Sequence, residues 1–328
     1  MIVITGGAGF IGSNLAAALE ERGERDLVIC DRLGSENKWR NVAKRELAAI
    51  IAPERLMAFL DHQSREIDTL FHLGAISSTT ETDADRIVAN NFIVPLELWQ
   101  WCADNARRFI YASSAATYGD GSAGFDDDGA AAALVRLRPL NLYGWSKQLF
   151  DTRVARLVER RVALPPQWAG LKFFNVYGPN EYHKGAQMSV VAQIYSRAKA
   201  GKPCKLFRSH RADVPDGGQK RDFVYVRDCV DMMLWLYDHR RVSGLFNIGS
   251  GTARSFADLA AAVYRAVGRE PLIEYVDTPR EIRDKYQYFT EARLERLRAA
   301  GYQKPTTALE DGVHDYVQTY LAGADPYR

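Results

Sequence analysis

Met1-Ile-Val-Ile-Thr-Gly-Gly-Ala-Gly-Phe-Ile-Gly-Ser-Asn14 opens the chain, and its reading decides the fold. Ile2 to Ile4 is an apolar run of strand length. Gly6, Gly9 and Gly12 follow at three-residue spacing, and Ser13 to Arg22 continues with helical periodicity. Strand, glycine turn and helix in that order allow a tight turn, close approach of backbone N–H groups to a phosphate, and close packing of helix on strand. The helix N-terminus then offers free N–H groups and a positive dipole end to a dinucleotide pyrophosphate. Asp31, which ends the next apolar run Leu27 to Cys30, stands at the distance expected of a residue that meets the adenosine ribose.

The rest of the composition fits a globular α/β protein. The 328 residues are 47% hydrophobic and 26% charged. With 43 basic and 41 acidic side chains the net charge is only +2, which argues against a dedicated nucleic-acid binder. The glycine turn begins at Gly6, leaving no room for a signal peptide, and no apolar run approaches a membrane span, so a cytoplasmic location is expected. Cys30, Cys102, Cys204 and Cys229 form no Cys-x-x-Cys pair and the six histidines no metal-spaced cluster. Buried free thiols and no metal site are expected.

Further strands deliver their carboxyl ends to the same region. Ile67 to Ala75 is an apolar run ending in small residues, followed by the polar turn Ser77 to Thr80 and a helical stretch, Asp83 to Asn105. His72 is expected to pack in the sheet. Arg32, Lys38 and Arg40 follow Asp31 closely. A carboxylate here suits NAD, nearby cations suit NADP, and Lys38 and Arg40 fit solvent equally well. Asn90 reads either as a cofactor-side amide or as a polar helix position. Arg108 to Gly119 forms a strand with a hydroxyl-rich end, Ser113, Ser114 and Thr117, where open α/β sheets bind ligands. Asp126-Asp-Asp128 reads as a solvated loop.

Pro139-Leu-Asn-Leu-Tyr-Gly-Trp-Ser-Lys-Gln-Leu-Phe150 carries Tyr143 and Lys147 four residues apart, one turn apart on one helix face. An ammonium beside a phenol favours the phenolate and lowers its pKa, so the pair is equipped to move protons. Leu171 to Gly185 then reads as a strand running into a loop with one well-placed lysine, Lys184.

The three glycines, Ser114 at a strand end and Tyr143-x-x-x-Lys147 together resemble the extended short-chain dehydrogenase/reductase family, over essentially the whole chain. That resemblance implies a Rossmann-type doubly wound parallel sheet with a smaller mixed α/β substrate region. Residues 1–175, with segments returning near 220–250, would hold the cofactor; 176–219 and much of 251–328 would hold the substrate. It also implies that Tyr143 is the acid/base, that Ser114 orients the reacting oxygen, and that Lys147 bonds the nicotinamide ribose. Tyr111-Ala-Ser-Ser-Ala-Ala-Thr-Tyr-Gly119, the His183-Lys-Gly185 context and Lys220-Arg-Asp-Phe-Val-Tyr-Val226 resemble its heptose-epimerising branch, whose substrate is a nucleotide sugar. On that likeness Lys184 is a second proton-transfer residue. Gly6, Gly9, Phe10, Ile11, Gly12, Asp31, Arg32, Lys38, Asn90, Lys147, Val176 and Lys184 meet NADP, with NAD the alternative. Ser114, Asn175, Ala186, Gln193, Phe207, Arg221 and Tyr286 meet the substrate.

A homo-oligomer, pentameric by resemblance, is expected. Two departures bear on these readings: Arg208 to Gln219 differs from the family's usual turn, and Pro53 stands where a lysine is expected beside the adenosine 2′-phosphate. A hexose 4-epimerase and a non-catalytic nucleotide binder remain open. A 4,6-dehydratase fits less well, because Ala115 and Ala116 follow Ser114 where acidic residues would be needed.

Overall fold

A computed structural model describes residues 1–279, 283 and 286–328. Its centre is a parallel sheet of β1 (Ile2–Thr5), β2 (Leu27–Cys30), β3 (Ala49–Ile51), β4 (Thr69–His72), β5 (Arg108–Ser114), β6 (Trp168–Phe173) and β10 (Gly244–Ile248). These run in the order β10-β6-β5-β4-β1-β2-β3. The order reverses at β1, which pairs with both β2 and β4, and a crevice opens beyond their carboxyl ends. Both faces of this sheet are covered, which is why its strands are continuous apolar runs. Val3, Val28, Leu70 and Phe109 pack into one layer, and Ile2, Ile4, Ile29, Phe71 and Ile110 into the other.

Helix α1 (Phe10–Glu21) follows the glycine turn. The later helices are α2 (Leu56–His62), α3 (Ala84–Val88), α4 (Val94–Asp104), α5 (Ala131–Leu134), α6 (Leu142–Arg160), α7 (Val190–Lys199), α8 (Val226–Asp238) and α9 (Phe256–Ala266). The helical stretch expected from Asp83 to Asn105 is interrupted by a widened π turn, Ala89–Ile93, between α3 and α4. Two small sheets stand apart: β7 (Asn175–Tyr177), β9 (Lys220–Tyr225) and β11 (Ala253–Ser255) in one, β8 (Cys204–Phe207) and β12 (Ile273–Val276) in the other. Around them Val191, Ile194, Leu259, Val263, Val313 and Tyr316 form a separate core.

The Asp126–Asp128 segment differs from its reading as a solvated loop. Asp127 is buried and accepts a hydrogen bond of 2.8 Å from the Asn247 N–H on β10, and burial pushes its carboxyl up to about 6. It fastens a connecting segment to the sheet edge. All four cysteines are buried and free. Among the described residues no helix is long and apolar enough to cross a membrane, and no group of three or more His, Cys, Asp or Glu could hold a metal ion.

Candidate active site

The glycine turn is closed by contact, not only by flexibility. Gly6 has φ +67°, and a Cβ there would lie 2.6 Å from the Gly74 backbone nitrogen; one on Gly12 would lie 2.3 Å from the Gly6 carbonyl oxygen. No side chain caps the N-terminus of α1 and no acidic residue occupies its first turn, so its N–H end is left to a ligand. The Asp31 carboxylate closes the far side. It accepts from the Ala8 N–H at 3.0 Å and lies 2.5 Å from the Lys38 ammonium. Arg32 instead points outward and pairs with Glu54, the residue after Pro53.

These groups bound a cleft of about 870 Å³. Gly6, Gly9, Phe10, Ile11, Gly12, Asp31 and Lys38 line it together with Ser114, Tyr143, Lys147, Val176, Lys184 and Ala186. Its volume, its glycine floor and its uncapped helix fit a dinucleotide. A second cavity of about 390 Å³ adjoins it, lined by Asn175, Arg221 and Tyr286 among others. Ser114, Tyr143, Thr79, Phe173 and Phe174 line both.

Tyr143 is placed by a cap and a close approach. The Asn141 side chain accepts from the Gly144 N–H at 2.8 Å and starts α6, so Tyr143 is the second residue of the helix. Gly144 lets α6 abut the turn after β5, for a Cβ there would stand 2.6 Å from the Ala116 carbonyl oxygen. Ser114 ends β5 beside it. The spacing predicts that Lys147 lowers the tyrosine pKa, but other groups set it. Burial raises the Tyr143 phenol, the neighbouring Ser114 hydroxyl pulls it down, and the Asp151 charge adds to the rise. The Lys147 ammonium is engaged elsewhere, donating to the Ala112 carbonyl at 2.9 Å, and burial takes its pKa down to about 8.

Lys184 lies in a short turn, Tyr182–Gln187, with its ammonium 5.4 Å from the centre of the Phe10 ring at the start of α1. Burial lowers its pKa, against the opposing pull of Glu181. Tyr143 thus favours keeping its proton, while Lys184 releases its own more easily than a solvated lysine.

Three expected contacts lie elsewhere. Asn90 points back along its helix, donating to the Arg86 carbonyl at 2.8 Å, and does not line the cleft. The π turn directs its neighbour Asn91 inward instead, and Asn91 fixes both backbone groups of Ile76 at 2.9 Å and the Ser146 hydroxyl at 3.0 Å. Gln193 does not line the cleft; it donates to the carbonyls of Ala186 and Met188, at 3.2 and 2.7 Å, and so steadies the turn that carries Lys184. Phe207 reaches the second cavity through Tyr286, whose ring centre is 6.0 Å away. Arg221 sits between Phe256 and Tyr286, 5.6 and 5.4 Å from their ring centres. Thr79, Phe174 and His183 were missed. Thr79 alone carried a signal, lying in the polar turn beyond a strand's carboxyl end.

The model of the NAD dependent epimerase/dehydratase family matches residues 2–249. The chain belongs to that family. It is 49% identical over 329 residues, all of both chains, to the ADP-L-glycero-D-manno-heptose-6-epimerase of Nitratidesulfovibrio vulgaris (strain DP4). The crystal structure of the Helicobacter pylori ADP-L-glycero-D-manno-heptose-6-epimerase superposes with a TM-score of 0.78 at 29% identity, covering 97% of this chain and 95% of that one. A Thermus thermophilus UDP-glucose 4-epimerase, in complex with NAD, superposes with a TM-score of 0.75 at 25% identity over 98% of this chain and 99% of the other. The chain is accordingly an enzyme of the isomerase class with a Rossmann-type fold, from a family that uses a nicotinamide cofactor.

Proposed function

We propose that this enzyme inverts C6 of ADP-D-glycero-D-manno-heptose, giving ADP-L-glycero-D-manno-heptose for the lipopolysaccharide inner core, in the cytoplasm. The observation that carries the mechanism is the wall common to the two cavities: Tyr143 and Ser114 face both. The relative at 49% identity supports the choice of sugar. A C–H beside a hydroxyl, with no neighbouring carbonyl, is not acidic, so direct proton abstraction is closed to the enzyme. When bound, a nicotinamide would supply a reversible hydride acceptor, so that C6 could be oxidised to a ketone and reduced again from its other face.

The chain's own residues handle the proton and the orientation. Ser114 holds the C6 oxygen against the Tyr143 phenol. Rotation about C5–C6 turns that oxygen between the two half-reactions, so a second group on another side of the cleft, Lys184, serves the other direction. Lys147 holds the cofactor ribose. Arg221, Tyr286 and Asn175 hold the nucleotide sugar. For the cofactor we favour NADP, whose 2′-phosphate would draw the Lys38 ammonium in the cleft lining from its pairing with Asp31. Asp31 and the Arg32–Glu54 pair favour NAD, so mass spectrometry of the dinucleotide released on denaturation decides between them.

The test is incubation with ADP-D-glycero-D-manno-heptose in deuterated water, following C6 by NMR. Inversion with no deuterium at C6 is expected, because a returned hydride never exchanges with solvent. Deuterium at C6 would overturn the mechanism. Turnover of UDP-hexose with no change in the heptose would favour a 4-epimerase.

A further inference from the structure

Beneath Ser114 and Tyr143 lies a polar cluster that the proposed chemistry does not use. Asp151 on α6 and Lys172 on β6 are both fully buried, 3.1 Å apart. The Asp151 carboxylate also accepts from the Ser113 hydroxyl at 2.6 Å and the Tyr111 hydroxyl at 3.1 Å, so it ties α6 to β5. The Lys172 ammonium donates to the Thr117 hydroxyl oxygen at 2.7 Å, and the Thr117 hydroxyl donates to the Ser114 carbonyl at 2.8 Å.

The direction of each bond follows from its members. A carboxylate only accepts and an ammonium only donates. Thr117 must therefore accept from Lys172, which commits its single hydroxyl proton to Ser114. Without the ammonium that hydroxyl could rotate, and the turn after β5 would lose its fixed polarity. A buried ion pair of this kind adds little net stability over an apolar packing, because desolvation of the two charges offsets their attraction. Its presence here calls for another role.

We propose that Asp151 and Lys172 are positioning residues that act through Thr117: they fix the backbone of Ser114 so that its hydroxyl meets the Tyr143 phenol. The proposal rests on the reading of Ser114 and Tyr143 given above. Asp151 sits on α6 one turn beyond Lys147 and bonds Tyr111 and Ser113 on β5, so its carboxylate registers the helix carrying the tyrosine against the strand carrying the serine. Its charge also raises the pKa of both Tyr143 and Lys147, which places it electrostatically at the site.

The experiment compares Thr117→Val, Thr117→Ser and Tyr143→Phe in the full chain, reading kcat, KM and retained cofactor. Thr117→Val keeps the shape and removes the hydroxyl; Thr117→Ala serves if the valine variant does not fold. Misplacement of a reacting group predicts a fall in kcat of about ten- to a hundredfold with KM and cofactor retention unchanged. Thr117→Ser, which restores the hydroxyl, should restore kcat. Wild-type kcat in Thr117→Val, or no recovery in Thr117→Ser, overturns the relay even where Tyr143→Phe is inactive. Wild-type turnover in Tyr143→Phe instead removes the catalytic reading and the relay with it.

Discussion

The two chambers of the active site are built by different means. The cofactor cleft is floored by backbone, with Gly6, Gly12 and Gly74 so close that a single Cβ would collide, and its walls are strand ends fixed by the sheet. The smaller chamber is walled largely by side chains from separate segments, with the Arg221 guanidinium between two aromatic rings and Tyr286 arriving from far along the chain. A pocket made of backbone fails when anything is added to it. One made of side chains fails when something is taken away.

The partition belongs to both chambers, so its residues should give the largest effects. Tyr143→Phe is expected to keep fold and cofactor while epimerisation falls by about two to four powers of ten, as measured by NMR of C6. Lys184→Met should lose a similar amount; a change in substrate affinity alone would break the two-base scheme. On the side-chain half, Arg221→Met should weaken sugar-nucleotide binding by about 1.5–3 kcal/mol, the value of a hydrogen bond to a charged group, with KM raised and the cofactor still bound. On the backbone half, Gly12→Ala adds only a methyl group, yet should destabilise by about 1–3 kcal/mol and release the cofactor, read by absorbance of the purified protein. If Gly12→Ala altered KM for the sugar and spared the cofactor, the contrast between the halves would collapse.

A further effect is set by pH and lies within the sheet. His72 is buried in β4, 2.8 Å from the Thr5 hydroxyl, and burial, aided by the Lys147 charge, takes its pKa down to about 3 from 6.5. Between those values the unfolded chain binds the proton and the native chain does not, so stability rises with pH and is lost as pH falls below 6.5. The slope for this one group is about 1.4 kcal/mol per pH unit. Denaturant midpoints of His72→Gln should show a correspondingly flatter acid limb, and an unchanged limb would refute the buried neutral imidazole.

The same contrast explains what the sequence made legible. The backbone-built half was readable because its requirements are local: three glycines at fixed spacing between a strand and a helix, then an aspartate after the next strand. Tyr143 and Lys147 were readable because helical spacing puts them on one face. The drop in the tyrosine pKa expected from Lys147 is absent, since no periodicity reveals that Lys147 is bonded to Ala112 or how deeply Tyr143 is buried. Asn90 lies off the cleft because a π turn shifts which side chain faces inward, and no residue pattern marks that turn. Asp127 was misjudged because its partner, Asn247, lies 120 residues away. The side-chain-built half came only through family resemblance, for Arg221, Phe256 and Tyr286 meet across long stretches of chain.

Thr79, Ser114, Tyr143, Phe173 and Phe174 form a party wall between two rooms. Bulk added to any of them is subtracted from both, so the sugar accepted and the grip on the dinucleotide cannot be selected independently there. A laboratory search for new sugars that diversifies these five positions would harvest variants emptied of their redox partner, whereas one confined to Asn175, Arg221 and Tyr286 would leave it in place.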